Sequence, residues 1–400
     1  MTQENKNYDN LAKCGERMNI HLQKWKRTAA VIGAGCIVFA SIKIGRKIVP
    51  MLQSIQIGEN INESDAFTYI SFGSGKNLTG VIYADGFGTE YDTATQHENN
   101  DSAVISWESE ESGQIHQSKL YPISNDANDG EIVEKHFGKQ TGTQFITLEN
   151  GGQVRNCTSW KNNDLYEESK ILPTLPLKTD GSPMVLIYHT HTTECFEQSK
   201  RNFFDASFNY RTTEPDKNMI MVGNAIAKEL SEAGIGVVHA AEIHDYPVWN
   251  NSYARSAQTV QSILAAYPSI CIALDVHRDA ISTNSTIYAP VSMINNQKSA
   301  QIMIISGCDD GTMGMPNYRE NFHLASILQQ TTEEMYEGLT RPILFDYRKY
   351  NQNLTNGSLL VEFGSQGNTM EEARYAGTLF GRSLVQTIRT LADQSESDLQ

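Results

Sequence analysis

The sequence predicts an α/β domain, a parallel or mixed sheet with helices on both faces, and three observations carry that expectation. The runs MVLIY (184–188), ICIALDV (270–276), QIMIIS (301–306) and SLLVEF (358–363) are apolar almost throughout instead of alternating, as in strands buried on both sides. Between them lie segments whose apolar residues recur at helical spacing. Gly234 and Pro268 punctuate the pattern where helix must give way to strand.

Along the chain, residues 1–27 read as a cytoplasmic tail. Lys24, Trp25, Lys26 and Arg27 precede an uncharged stretch, Thr28 to Ile42, that contains VIGAGCIVFA. As a helix that stretch rises only ~22 Å against a hydrocarbon core of ~30 Å, so Lys43, Arg46 and Lys47 must snorkel and the span runs to about Val49. Residues 28–49 therefore read as a transmembrane signal anchor. A cleaved signal peptide is the rival, since the apolar stretch is short, but no small-x-small cleavage site follows it. Basic residues flank both ends and orient the helix weakly. The short N-terminal side most easily stays in the cytoplasm, which leaves the bulk of the chain outside.

Residues 50–171 read as a smaller β-rich or partly flexible module, with FTYISF, GVIYA and an acidic passage from Tyr91 to Gly113. Phe145 to Asn156 has the form of a hairpin that turns at Asn150, Gly151 and Gly152. The Pro-rich ILPTLPLKTDGSP then marks a boundary, and 172–394 is the α/β domain, followed by a tail at 395–400. In this domain MVLIY is a strand. A helix follows with Met219, Val222, Ile226, Leu230 and Ala233 on one face and Gly234 at its end. GVVHA (236–240) is the next strand, and a second helix carries Tyr253, Ala257, Val260, Leu264 and Tyr267. After ICIALDV and QIMIIS comes a long helix over Tyr318 to Leu339. SLLVEF is the last strand, and Thr369 with Glu372 forms a capping box for a C-terminal helix through Phe380 and Leu384.

At 400 residues and 39 % hydrophobic content the chain has room for a sizeable core. A formal net charge of −15 without a basic stripe argues against nucleic acid as a partner. Six cysteines without CxxC spacing suggest buried or free thiols.

Ligands of such sheets sit beyond the carboxyl ends of the strands. Three strand ends carry reactive groups: His189, His191 and Glu194; His277, Arg278 and Asp279; and Glu362. Two imidazoles and one carboxylate make an open zinc site, and a further carboxylate takes a proton from the water it activates. His191-x-x-Glu194 supplies two close ligands and His277 the distant one, its tautomer fixed by Asp275 or a backbone carbonyl. His189 shares strand parity with Val185 and Ile187 and is the alternative to His191. Glu362 is the expected general base. Arg278 is either an ion-pair partner of Asp279 or Glu194, or a catalytic clamp for a substrate carboxylate or a polarised carbonyl. His239, His244 and His323 read as surface or satisfied core residues.

LIYHTHTTECF, LDVHRDA and LLVEFGSQGNTMEEARYAGTLFGRSL together resemble the stage II sporulation protein P family, over roughly Phe145 to Leu391. The resemblance implies a three-layer amidase-like or zinc-carboxypeptidase-like domain. It also implies a membrane-anchored, Zn2+-dependent N-acetylmuramoyl-L-alanine amidase that hydrolyses peptidoglycan at the sporulation septum during engulfment. Family members are also described as cleaving peptide cross-links, and as working beside stage II sporulation proteins D and M, the first of which cuts the glycan. It places zinc at His189 or His191 with Glu194 and His277, and the base at Glu362. Zinc amidases more broadly carry their ligand glutamate further along, where this chain offers Glu214, so Glu194 rests on the H-x-x-E spacing shared with zinc carboxypeptidases.

Overall fold

The structure is a computed structural model that describes residues 69–72, 76–79, 128–178 and 180–397. The expected tail and membrane helix, and most of the expected 50–171 module, lie outside the described residues. Among those described, no helix is long and apolar enough to cross a membrane. The chain divides into two compact units, and the one that holds Lys76–Gln400 contains every element below except part of strand β1 (Tyr69–Phe72).

After β2 (Lys76–Thr79) come β3 (Gly130–Lys135), β4 (Phe145–Thr147), β5 (Gln153–Asn156) and the short helix α1 (Asn162–Glu168). Next are β6 (Pro183–Tyr188), β7 (Phe203–Phe204), α2 (Met219–Glu232), β8 (Gly236–His239), α3 (Ser252–Ala266) and β9 (Ile272–Asp279). The chain ends with β10 (Thr286–Ile294), β11 (Gln297–Ala300), β12 (Ile302–Gly307), α4 (Tyr318–Met335), β13 (Ile343–Asp346), β14 (Gly357–Ser365) and α5 (Met370–Ser397).

The fold is mixed α/β. From β2 the main sheet runs β2-β8-β6-β9-β14-β12-β13-β5-β4. Its centre, β8-β6-β9-β14, is parallel; β12 runs antiparallel to β14, and β13 and β5 run parallel to β12 and β13 in turn. The β4–β5 hairpin therefore shares this sheet with the later strands, and its turn uses positive φ at Gly151 and Gly152. A second sheet is ordered β11-β10-β3-β7.

The apolar strands divide their side chains between two cores. Val185 and Ile187 of β6 enter the core shared with Val222, Leu324 and Phe380, from α2, α4 and α5. Leu186 and Tyr188 enter the other, with Val260 and Ile263 of α3. Alternation by two along a strand makes one short run serve both faces, and three layers result. Local signals act as read. Gly234 takes φ +79° after α2 while Ile235 N–H closes back on Leu230 O at 2.9 Å. Thr369 and Glu372 exchange backbone-to-side-chain bonds of 3.0 and 3.2 Å at the head of α5.

Candidate active site

The same alternation aims the site. In β9, Ile272, Leu274 and Val276 point into the larger core, so Asp275, His277 and Asp279 share the face that α3 covers. In β14, Leu359, Val361 and Phe363 do likewise, and Glu362 stands beside His277 in the parallel register. The turn after β6 is brought to this face by its threonines. Thr190 donates from N–H and Oγ1 to the buried Asp275 at 2.8 and 2.6 Å. Thr193 does the same to the buried Asp245, at 3.1 and 2.6 Å. Two buried aspartates thus hold both sides of His191.

Around them the reactive groups close up. His277 Nε2 lies 2.8 Å from Asp275 Oδ1, out of line for a hydrogen bond, and its Nδ1 lies 3.6 Å from Glu194 Oε2. Glu194 Oε2 also accepts the Arg278 N–H at 3.1 Å, and Arg211 Nη2 lies 3.9 Å from Oε1. Arg211 is itself held by Asp245 at 3.0 Å. The His191 ring stands edge-on to His277 at 5.2 Å and stacks on Trp249 at 5.0 Å. Tyr253 lies parallel to His277 and stacks on Tyr350.

Charge in this cluster is unbalanced. Burial alone would lower the His277 imidazole, but the carboxylates of Asp275, Glu194 and Glu362 outweigh it and bring it up to about 10. His191 is pushed well below the usual histidine range, first by burial and then by His277, Arg211 and Arg278. The Glu362 carboxyl is raised by burial and by Asp279, against the pull of His277. The carboxylates make the spot favour a cation.

His189 is directed elsewhere. Its Nδ1 donates to Val276 O at 2.9 Å and its Nε2 meets His239 Nε2 at 2.8 Å, on the α2 side of the sheet. Burial lowers it to about 4 and holds His239 well below its ordinary value. The pair fits because α2 carries Gly223, where a Cβ would come within 2.4 Å of His239 Nε2 and 2.8 Å of His189 Nε2. Gly223→Ala is therefore expected to cost about 1–3 kcal/mol, the usual penalty of overpacking. A lowered denaturant midpoint at unchanged slope would report it; a midpoint equal to the parent's would mean that α2 shifts freely.

Arg278 spends its guanidinium on carbonyl oxygens of Cys195, Tyr210 and Asp279 at 3.2, 3.2 and 3.4 Å. That ties the 195–210 segment to β9. Glu214 pairs with Lys217 at 2.5 Å with nearly half of its side chain exposed. The structure brings the expected His191, Glu194, His277, Asp275 and Glu362 together, and adds Arg211, Asp245, Trp249 and Tyr253, which the sequence does not single out. These four stand on loops and helix starts, and no spacing links them to the histidines.

Among the described residues, no three His, Cys, Asp or Glu groups stand close enough, as placed, to hold a metal ion. The donor chemistry fits one nonetheless. His191 Nδ1 and Glu362 Oε2 are buried without a hydrogen-bond partner, which is costly unless something else engages the cluster, while Asp275 occupies His277 Nε2 and leaves Nδ1 toward Glu194.

Fold and site together define an α/β protein with a buried two-histidine, two-carboxylate centre on one face of its sheet, at the strand ends. The chain belongs to the Stage II sporulation protein P (SpoIIP) family, which it matches over residues 82–384. It is 28 % identical over 213 residues to Stage II sporulation protein P of Bacillus subtilis (strain 168), and spans about half the length of that curated relative, which covers 50 % of this chain. Among solved structures it is similar to N-acetylmuramoyl-L-alanine amidase AmiC2 of Nostoc punctiforme, with 13 % identity, TM-score 0.32, 53 % of this chain and 97 % of that one. It is also similar to the CwlD amidase of Clostridioides difficile in complex with the GerS lipoprotein, with 11 % identity, TM-score 0.33, 54 % and 100 %. A metallo-carboxypeptidase from Burkholderia cenocepacia gives 8 % identity, TM-score 0.31, 54 % and 60 %.

Proposed function

We propose that this chain is a zinc-dependent peptidoglycan hydrolase that cleaves the amide between N-acetylmuramic acid and the L-alanine of the stem peptide during engulfment. The observation that supports it most is the gathering of His191, Glu194, His277 and Glu362 on one sheet face, where His191 Nδ1 and Glu362 Oε2 have no hydrogen-bond partner. His191, Glu194 and His277 would hold the zinc, which when bound polarises the scissile carbonyl and lowers the pKa of water to about 7.

The chain's own residues do the rest. Asp275 beside Nε2 turns His277 so that Nδ1 faces Glu194. Arg211 and the Arg278 N–H hold Glu194 in place. Glu362 accepts the proton of the attacking water and passes it to the leaving amine, a role that its raised carboxyl suits. Trp249 and Tyr253 cover the two imidazoles and keep bulk water off them. The domain would then work outside the cytoplasm, held by the anchor expected at 28–49, at the septum, beside the D and M proteins that the resemblance implies.

Incubating the full chain with purified peptidoglycan and identifying the products by mass spectrometry tests this. Free stem peptides beside intact glycan strands are expected. Cut cross-links with stems still attached through the lactyl group would establish the second reading, an endopeptidase or carboxypeptidase, which the His191-x-x-Glu194 spacing favours. No release at all, without bound zinc, would make the chain a septal scaffold.

A further inference from the structure

A guanidinium, that of Arg341, also stands near Glu362. Thr340 bridges to Ile302 and the Arg341 N–H donates to Ile302 O at 2.7 Å, which sets Arg341 beside Met303, the residue in register with Glu362. Its side chain then crosses toward β9, where Nη1 donates to Asp279 Oδ2 at 2.8 Å. Asp279 is two residues beyond His277 on the same strand, so the guanidinium ends next to the row that holds His277 and Glu362. Its charge is felt at the Glu362 carboxyl.

Arg341 is only 6 % exposed, yet its Nε and Nη2 have no hydrogen-bond partner. Those two N–H groups are the parallel fork of a guanidinium, the edge that matches the two oxygens of a carboxylate. A merely structural arginine has its donors on backbone carbonyls, as Arg278 does. Arg341 instead leaves its buried fork without an acceptor while Asp279 fixes the far nitrogen. Glu362 Oε2 is unpaired in the same region.

We propose that Arg341 is a specificity residue whose Nε and Nη2 receive a free carboxylate of the peptide substrate beside Glu362, with Asp279 holding the guanidinium in place. This rests on the reading that the substrate is a wall peptide, and it adds that the stem must be acidic near the scissile bond.

The test compares two synthetic muramyl peptides with the full chain, one bearing free carboxylates and one with each converted to carboxamide. The parent is expected to show a KM about tenfold to a hundredfold lower for the acid, the size of one charge-assisted interaction. In Arg341→Gln the acid's KM rises to match the amide's, with kcat moved far less. Arg341→Lys recovers part of the preference, because an ammonium keeps the charge and lacks the fork. A parent without preference overturns the proposal with no variant needed, as does an Arg341→Gln protein that still prefers the acid. Calorimetric titration of the same peptides separates the two readings. Arg341-dependent binding of the acid by a chain that hydrolyses neither peptide would sink the hydrolase reading alone, and hydrolysis without preference would sink the fork alone.

Discussion

With the proposed zinc hydrolase function, His277→Ala is expected to lose zinc binding and peptidoglycan hydrolysis together, with zinc affinity down by at least about a hundredfold. The imidazole it removes stands between three carboxylates, those of Asp275, Glu194 and Glu362. His277 is also the proposed ligand that comes from a different strand, so without it His191 and Glu194 are left on one turn. Asp275→Asn is the graded version. Its carboxylate orients His277 and also anchors Thr190, so affinity should fall about tenfold to a hundredfold, with some loss of thermal stability. Metal analysis of the purified proteins reads both outcomes. His189→Ala is the contrast, since that ring is occupied by Val276 O and His239 across the sheet and its loss should leave zinc bound. If zinc left with His189 and stayed without His277, the ligand assignment would be reversed.

Much of the fold and of the candidate site was legible because burial on both faces and reactive groups at strand ends leave marks in the sequence. An apolar run such as MVLIY that stops at histidines announces both the strand and the candidate site at its carboxyl end. Thr369 and Glu372 announced a cap because the capping box is a purely local bond pattern. What escaped notice depends on partners far apart in the chain. β10 contains Pro290, which disguises a strand, and it is made one by parallel pairing with β3 some 150 residues earlier, Ile287 against Ile132. The direction of β12 against β14 is set by the connection between them and by nothing within QIMIIS. Strand parity did place His189 with Val185 and Ile187, but parity alone does not say which face carries the chemistry. Only the pairing of His277 with Glu362 across β9 and β14 marks that face. Trp249, Tyr253 and Arg341 are single residues of common type, and their meaning comes from what they lie against.

Glu362→Gln is expected to lose about a hundredfold to ten-thousandfold in turnover, the contribution of a positioned general base, while retaining zinc. Glutamine keeps the shape and gives up only the proton acceptor, so a loss confined to kcat assigns the role to the carboxylate. The stability of the zinc-free proteins offers an independent check. The Glu362 carboxyl is raised in the fold by burial and by Asp279, so between the ordinary carboxylate range and its raised value the folded chain binds more protons than the unfolded one. The slope of unfolding free energy with pH is then negative in that window. Stability contributed by the protonated group is present below the ordinary range and fades as pH rises, a trend that Glu362→Gln should lack. Parallel pH curves for the two proteins would mean that Glu362 is solvated in solution and is not the buried acid that a tuned base requires. Full turnover in Glu362→Gln would pass the proton to another group on this face, and among the described residues the carboxylates left there are Glu194, Asp275 and Asp279. Asp275 is engaged by Thr190 and His277, and Asp279 is paired with Arg341. Glu194 would then have to serve as base in place of ligand, and a Glu194→Gln protein that kept zinc but lost turnover would establish that exchange of roles.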